Sequence, residues 1–225
     1  MTERYIVANW KMNMSLADLN KWFDNFVKAY CECDTLVLRT IVAPSTVFLS
    51  VASLRAAKNI ELASQDISLS EKGAHTGESG AFQIKEYVKY GIIGHSERKE
   101  EKETVLRKRD LCLENGIKPI VCFIDPEEVG DYYKDGVMLA WEDPENISSN
   151  GSLNPKDPKD IETTVKNMKS VLPEGAVIIY GGSVSSGNIG DLVKISELDG
   201  VLVGSSSLDP LAFLDIIRAY EIYEP

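Results

Sequence analysis

Gly91-Ile92-Ile93-Gly94-His95-Ser96-Glu97-Arg98 is the stretch of sequence that decides the fold. A short apolar run bounded by glycine is typical of a buried strand, and Ser96-Glu97 is suited to opening a helix. His95 is therefore predicted at a corner between a strand and a helix, where the helix start favours the neutral imidazole. A neutral ring there can donate a proton to a substrate oxygen, whereas a histidine in a tight turn can also be purely structural.

The same order of a strand followed by a helix repeats along the chain. Eight apolar runs predict strands, at 5–9, 36–43, 60–64, 91–94, 118–123, 137–141, 176–180 and 200–204. Most of these runs do not alternate with polar residues, which indicates strands buried on both faces of a parallel sheet. Eight such units favour an α/β fold closed into a (β/α)8 barrel over an open sheet, and the first turn lacks GxGxxG. We predict one barrel domain covering residues 1–225.

The connectors between the predicted strands differ in length. Residues 65–80 form a long polar loop, and loops of this kind usually serve a functional site or an interface. Residues 126–134 leave room only for a vestigial helix after the fifth strand, whereas residues 143–156 form a second polar loop. Pro44 is predicted in the opening turn of the helix that runs towards Lys58.

Composition and charge limit the partners of the chain. Of the 225 residues, 44% are hydrophobic, and 24 Lys and Arg against 35 Asp and Glu give a net charge of −11. This balance argues against a nucleic acid or an anionic membrane as a partner. The first residues lead directly into a strand and no run is long enough to cross a bilayer, so we expect a cytoplasmic protein. The four cysteines lack the spacing of a zinc site, and we expect free thiols and no metal.

Polar side chains follow several predicted strands. The active site of such a barrel lies at the carboxyl ends of the strands. Asn9 and Lys11 end the first strand, His95 the fourth and Glu142 the sixth, which together supply a cation, an electrophile and a carboxylate base. Each residue alone also has a structural interpretation, such as a surface lysine or an exposed glutamate. Trp10 is predicted to face the outer layer of the barrel as a core residue.

Two turns of small residues follow the last two strands. Gly181-Gly182-Ser183 and Gly204-Ser205 can present backbone N–H groups to an anion, although glycine after a strand can also serve only a tight turn. Lys11 would add the local attraction that an acidic chain needs for an anionic substrate. Glu97 is predicted either to pair with Lys11 or to cap a helix start.

Six motifs, in order over essentially the whole chain, resemble the triosephosphate isomerase family. They are VANWKMN at 7–13, GAHTGE at 73–78, IGHSER at 93–98, AWE at 140–142, YGGSV at 180–184 and DGVLVG at 199–204. The resemblance implies the single-domain TIM barrel. It also implies the reversible conversion of dihydroxyacetone phosphate and D-glyceraldehyde 3-phosphate through an enediolate, a step of glycolysis and gluconeogenesis, with no cofactor and no metal.

The resemblance also assigns roles to residues. Glu142 is implied as the base and His95 as the electrophile, while Lys11 and Asn9 stabilise developing negative charge. Ser96 and Glu97 are implied to support the orientation of His95 and Lys11. The substrate phosphate would be held mainly by backbone N–H groups. These belong to Ser148 in the lid, the loop at residues 142–150, and to Ser183, Gly204 and Ser205.

The partner implied by the resemblance is a second copy of the chain. In the family the loop that matches residues 73–78 docks into a neighbouring subunit, so Thr76 is implied as a subunit contact. The fifth connector is trimmed as in compact tetrameric members, whereas YGGS at 180–183 looks bacterial. Both a homodimer and a homotetramer therefore stay open.

The sequence departs from the family at the lid and at one phosphate turn. The lid proline is shifted by one position behind Asp143, Ser148 replaces a glycine, and Ser205 replaces the second glycine of a pair. A serine is tolerated where glycine-only backbone angles are not required. The changed lid leaves an alternative function, a barrel-fold phosphate-ligand binding protein with reduced or lost turnover. A different phosphosugar isomerase is disfavoured because Asn9, Lys11, His95 and Glu142 all match one chemistry.

Overall fold

Eight parallel strands close into a barrel in chain order, with β1 hydrogen-bonded to both β2 and β8. The computed structural model describes residues 3–30, 38–143 and 155–223. The strands are β1 (Arg4–Asn9), β2 (Leu38–Ala43), β3 (Ile60–Ser64), β4 (Tyr90–Ile93), β5 (Lys118–Phe123), β6 (Met138–Trp141), β7 (Val177–Tyr180) and β8 (Gly200–Val203). The predicted (β/α)8 fold is confirmed.

Helices surround the barrel between successive strands. They are α1 (Leu16–Tyr30), α2 (Leu49–Arg55), α3 (Ala81–Ile84), α4 (Lys102–Glu114), α5 (Val129–Tyr132), α6 (Pro158–Ser170), α7 (Ile189–Leu192) and α8 (Pro210–Ile222). Short 3₁₀ turns cover Thr46–Phe48, Ser96–Arg98, Pro126–Glu128 and Ser205–Ser207. Across the described residues, no helix combines the length and the apolar character needed to cross a membrane.

The apolar core has two layers, one inside the barrel and one between the strands and the helices. Val7, Ile92 and Ile179 belong to the inner layer. Trp10 belongs to the outer layer, as predicted, and its ring centroid lies 4.9 Å from that of Trp22 in an edge-on arrangement. Such aromatic pairs add about 1 kcal/mol beyond the effect of buried area. Strand β1 is therefore held by apolar packing both inside the barrel, through Val7, and outside it, through Trp10, next to its polar end.

The fifth connector is the vestigial helix that its length predicts. After β5 the chain forms the 3₁₀ turn Pro126–Glu128 and the four-residue helix α5. The Asp125 carboxylate caps this turn by accepting the amide N–H of Glu127 at 2.9 Å. The short connector leads into β6, and the carboxyl end of β6 lies beside the carboxyl end of β5.

The prediction for Pro44 is wrong. Helical backbone begins only at Thr46, and Ser45 before it is extended, with φ −55° and ψ 143°. The Ser45 hydroxyl donates to the carbonyl oxygen of Lys11 at 2.9 Å, which ties this residue to the end of β1 instead of the helix. The helix also ends earlier, because Ala56 is already extended.

Candidate active site

One pocket lies at the carboxyl ends of the strands and contains most of the predicted site residues. Its lining includes Asn9, Lys11, His95, Glu142, Ser183, Gly204 and Ser205, together with Gly181, Val184 and Leu202. The pocket brings together residues from β1, β4, β6, β7 and β8 or from the turns that follow them. Its cavity is about 20 Å³, which is close to the space that one water molecule occupies.

His95 is held through both nitrogens of its ring. Nδ1 accepts the amide N–H of Glu97 at 3.2 Å, and Nε2 lies 2.9 Å from Oε1 of Glu142. Because Nδ1 is an acceptor, the ring proton lies on Nε2, which donates to the carboxylate. The His95 side chain is 8% exposed, and the 3₁₀ turn Ser96–Arg98 that follows it fixes the tautomer inside the pocket.

Glu142 is buried, and both oxygens of its carboxylate are engaged. Oε2 accepts the amide N–H of Ser96 at 2.8 Å, while Oε1 meets His95. The side chain is only 2% exposed, and a buried carboxylate requires such donors. The Ser96 amide thus holds Glu142, whereas the residue next to it, Glu97, is the one in contact with His95 and Lys11.

Lys11 has a left-handed backbone with φ +50°, which costs a residue with a side chain about 1–2 kcal/mol. Three hydrogen bonds stabilise this conformation. Its amide donates to Oδ1 of Asn9 at 3.1 Å, and its carbonyl oxygen accepts from Oγ of Ser45 and Nε2 of Gln65, each at 2.9 Å. The ammonium forms an ion pair with Glu97 Oε1 at 2.7 Å.

Ser45 and Gln65 were missed by the sequence analysis. Both follow a strand closely, Ser45 after β2 and Gln65 directly after β3. Like Asn9 and Glu142, both are polar residues at the carboxyl end of a strand, and this position is the sequence signal that could have identified them. Neither lines the pocket among the described residues, so both act by holding the backbone of Lys11.

The turn after β7 is held by a side chain from beyond it. Ser183 has a left-handed backbone with φ +39°, and its carbonyl oxygen accepts from Nδ2 of Asn188 at 2.9 Å. Oδ1 of the same asparagine accepts the amide N–H of Ser185 at 2.8 Å. Asn188 therefore fixes the shape of this part of the pocket, and no sequence pattern singled it out.

The turn after β8 follows Gly204, which has φ −87° and ψ −113°. Ser205 starts a 3₁₀ turn and is not one of the described residues with positive φ. Ser205 therefore does not require the backbone angles that only glycine adopts, which is the condition under which a serine is tolerated here. The Ser207 hydroxyl closes the turn by donating to the Gly204 carbonyl at 2.7 Å.

Two further groups near the site are kept in their protonated forms. Burial raises the pKa of the Cys122 thiol well above its ordinary value, and the charge of Glu142 raises this pKa further. Burial also raises the pKa of the Tyr180 phenol, with an added contribution from Asp143. A thiol of this kind is a poor nucleophile.

Two of the predicted site residues remain, Thr76 and Ser148. Thr76 is exposed in the loop between β3 and α3, and it is not among the residues that line the pocket. Ser148 lies outside the described residues. Within residues 3–30, 38–143 and 155–223, no three His, Cys, Asp or Glu side chains are grouped so as to hold a metal ion.

The sequence matches the family model described as triosephosphate isomerase over residues 4–220. The chain belongs to the triosephosphate isomerase family. The match runs from the first residue of β1 into α8 and therefore covers every strand of the barrel. The resemblance seen in the six motifs is confirmed.

Individual relatives match over nearly their whole length. The triosephosphate isomerase of Buchnera aphidicola subsp. Schizaphis graminum is 33% identical over an alignment that covers 97% of this chain and 98% of the relative. That of Prochlorococcus marinus subsp. pastoris is 32% identical, with 95% and 97% covered. The Aquifex aeolicus triosephosphate isomerase is 29% identical, with 96% and 99% covered.

Proposed function

We propose that the protein is a triosephosphate isomerase, an enzyme that interconverts dihydroxyacetone phosphate and D-glyceraldehyde 3-phosphate in glycolysis and gluconeogenesis. The observation that carries the proposal is the 2.9 Å contact between Nε2 of His95 and Oε1 of Glu142, in a pocket that Lys11 also lines. A neutral proton donor facing a buried carboxylate is the arrangement that proton transfer beside a carbonyl requires. The family relationship supports this function over that of a phosphate-ligand binding protein without turnover.

In the proposed reaction Glu142 removes a proton from the carbon next to the carbonyl group and returns it to the neighbouring carbon. Loss of this proton gives an enediolate, whose oxygen accepts a hydrogen bond from Nε2–H of His95. Transfer of that proton gives the enediol, and the imidazolate then takes a proton back from the neighbouring hydroxyl group of the substrate. The ammonium of Lys11 and the amide of Asn9 stabilise the remaining negative charge. Because Nε2 of His95 and Oε1 of Glu142 are 2.9 Å apart, the reacting atoms of a triose phosphate fit between them when Glu142 moves off His95.

We propose that the substrate phosphate binds at the turns after β7 and β8. Ser183, Gly204 and Ser205 would contribute backbone N–H groups, and Ser148 a further group from the lid. Lys11 supports this assignment, because it supplies a positive charge at a pocket of a chain with net charge −11. Ser96 and Glu97 are proposed as the supporting residues of this site.

We further propose that the chain folds as one domain, works without a cofactor or metal, and is cytoplasmic. Its partner would be a second copy of itself, in a homodimer or a homotetramer with Thr76 at the contact. The acidic net charge supports the exclusion of nucleic acid and membrane surfaces as partners.

A coupled assay with glyceraldehyde 3-phosphate tests the function. We expect the wild type to turn over and Glu142→Gln, which removes the base at nearly constant shape, to lose about 1,000-fold in kcat. Glu162→Gln, at an exposed position of α6, is the matched control and keeps wild-type turnover.

Three results would contradict the assignment in different ways. A folded wild type without turnover would exclude the isomerase, and phosphate binding by that protein would favour the binding-protein alternative. Equal turnover by wild type and Glu142→Gln would remove Glu142 from the role of base.

A further inference from the structure

Asp143, the residue directly after Glu142, forms an ion pair with Lys156, which lies two residues before α6 begins. Nζ of Lys156 is 2.5 Å from Oδ2 of Asp143. The Asp143 side chain is 9% exposed and that of Lys156 is 26% exposed, so solvent screens this pair less than a surface pair. The ion pair joins the carboxyl end of β6 to the amino end of α6.

The same ammonium lies over Trp141, the residue before Glu142. Nζ of Lys156 is 5.6 Å from the centroid of the indole ring, within the range of a cation–π interaction. Trp141 is itself fixed, because its Nε1 donates to the carbonyl oxygen of Ile124 at 3.1 Å and its ring packs against Tyr180. Lys156 therefore contacts the residues on both sides of Glu142.

We propose that Asp143 and Lys156 are positioning residues that fix the backbone from which the Glu142 side chain reaches the substrate. This inference rests on the isomerase function proposed above. Neither residue lines the described pocket, so both act through the backbone of residues 141–143.

The expected loss of kcat depends on how far Glu142 shifts when the Asp143–Lys156 ion pair is removed. A misplacement of about 1 Å in a catalytic group can cost about 100-fold in rate. Glu142 keeps other supports when the pair is lost, since its amide donates to the Phe123 carbonyl at 2.9 Å. We therefore expect loss of the pair to lower kcat about 10-fold. Phosphate affinity should not change, because the proposed phosphate turns follow β7 and β8.

A double-mutant cycle tests the proposal. We would measure kcat, KM and the inhibition constant of inorganic phosphate for Lys156→Met, Asp143→Asn and the double variant. Each single variant should lose about 10-fold in kcat at an unchanged inhibition constant. The double variant should be no worse than the single ones, because they remove the same contact. Lys156→Arg keeps the charge and the stacking on Trp141 and should restore most of the rate.

The control is Lys194→Met, which removes an exposed ion pair with Asp191 and should leave kcat unchanged. Urea denaturation of each variant separates a loss of rate from a loss of folded protein. A wild-type kcat in Lys156→Met would overturn the proposal, and so would additive losses in the double variant or a weaker phosphate affinity. Inactivity of the wild type itself would instead overturn the proposed function.

Discussion

Gly94 determines the backbone at the corner that carries His95. It has φ +69°, and a Cβ at this position would lie 2.7 Å from Cγ1 of Val105 and 3.0 Å from the carbonyl oxygen of Cys122. The left-handed backbone costs an alanine about 1–2 kcal/mol, and overpacking adds about 1–3 kcal/mol. We expect Gly94→Ala to lower the free energy of unfolding by about 3 kcal/mol, measured by urea denaturation.

Gly116 provides the matched control for this prediction. It has φ +74°, but a Cβ there meets no described atom within 4 Å. Gly116→Ala should therefore lose only the backbone contribution, about 1 kcal/mol. Equal losses of stability in the two variants would mean that the close approach of an added Cβ at residue 94 to Val105 and Cys122 costs nothing.

The sequence identifies residue types at the site better than it identifies their conformations. His95 and Glu142 are predictable because the carboxyl ends of parallel strands meet at one edge of the barrel. The left-handed backbones of Lys11 and Ser183 are not predictable in this way. That of Ser183 depends on Asn188, five positions away, and that of Lys11 depends in part on residues distant in the sequence. Gln65, for example, reaches Lys11 across 54 positions of the sequence.

Among the elements, long helices follow from apolar spacing, whereas single turns do not. α6 begins at Pro158, because proline suits the first helical position and Asp157 caps the helix. The 3₁₀ turn at Thr46–Phe48 has too few residues for a periodic pattern, and the prediction that helical backbone starts at Pro44 fails there. The contact of Ser45 with Lys11 decides that boundary, and it links two strands far apart in sequence.

The N-terminus of α8 has a strong cap, whose effect on stability can be measured. Oδ1 of Asp209 accepts the amide N–H groups of Leu211 at 2.8 Å and Ala212 at 2.9 Å. We expect Asp209→Ala to lower the free energy of unfolding by about 1 kcal/mol, measured by urea denaturation, and Asp209→Ser to keep most of it.

The control for the cap is a second aspartate of the same helix. Asp215 lies in the middle of α8 and is exposed. Asp215→Ala should change the free energy of unfolding by less than about 0.5 kcal/mol. A loss as large as that of Asp209→Ala would show that removing negative charge from α8, and not loss of the cap, is responsible.

On the scale of the whole molecule, the barrel follows from the number of strand–helix units, and its closure places the polar strand ends around one pocket. The lid is different. Segment 144–154, with Ser148, lies outside the described residues, so the predicted effect of the changed lid on turnover stays a prediction. Asp143 and Lys156, which are described residues on either side of that segment, form an ion pair with each other.

The rim around β1 and β2 exposes apolar side chains that a second copy of the chain would cover. Met12 is 94% exposed and Val47 is 75% exposed. Their segments are adjacent, because the Ser45 hydroxyl donates to the Lys11 carbonyl. Large apolar side chains grouped on a surface favour association between proteins. We propose that this rim is buried in the homo-oligomer that the family resemblance implies, with Thr76 at the subunit contact.

Thr76→Arg tests the proposed contact, because a long charged side chain is costly to bury in an interface unless it is paired. We expect the wild type to sediment as a dimer or tetramer and Thr76→Arg to dissociate at a higher concentration. On dilution, the variant should lose activity at a higher protein concentration than the wild type, because dissociation of the subunits follows mass action. Thr163→Arg, at an exposed position of α6, is the control and should keep the wild-type mass. A wild type that sediments as a monomer, or a Thr76→Arg variant with unchanged association, would exclude this loop as the subunit contact.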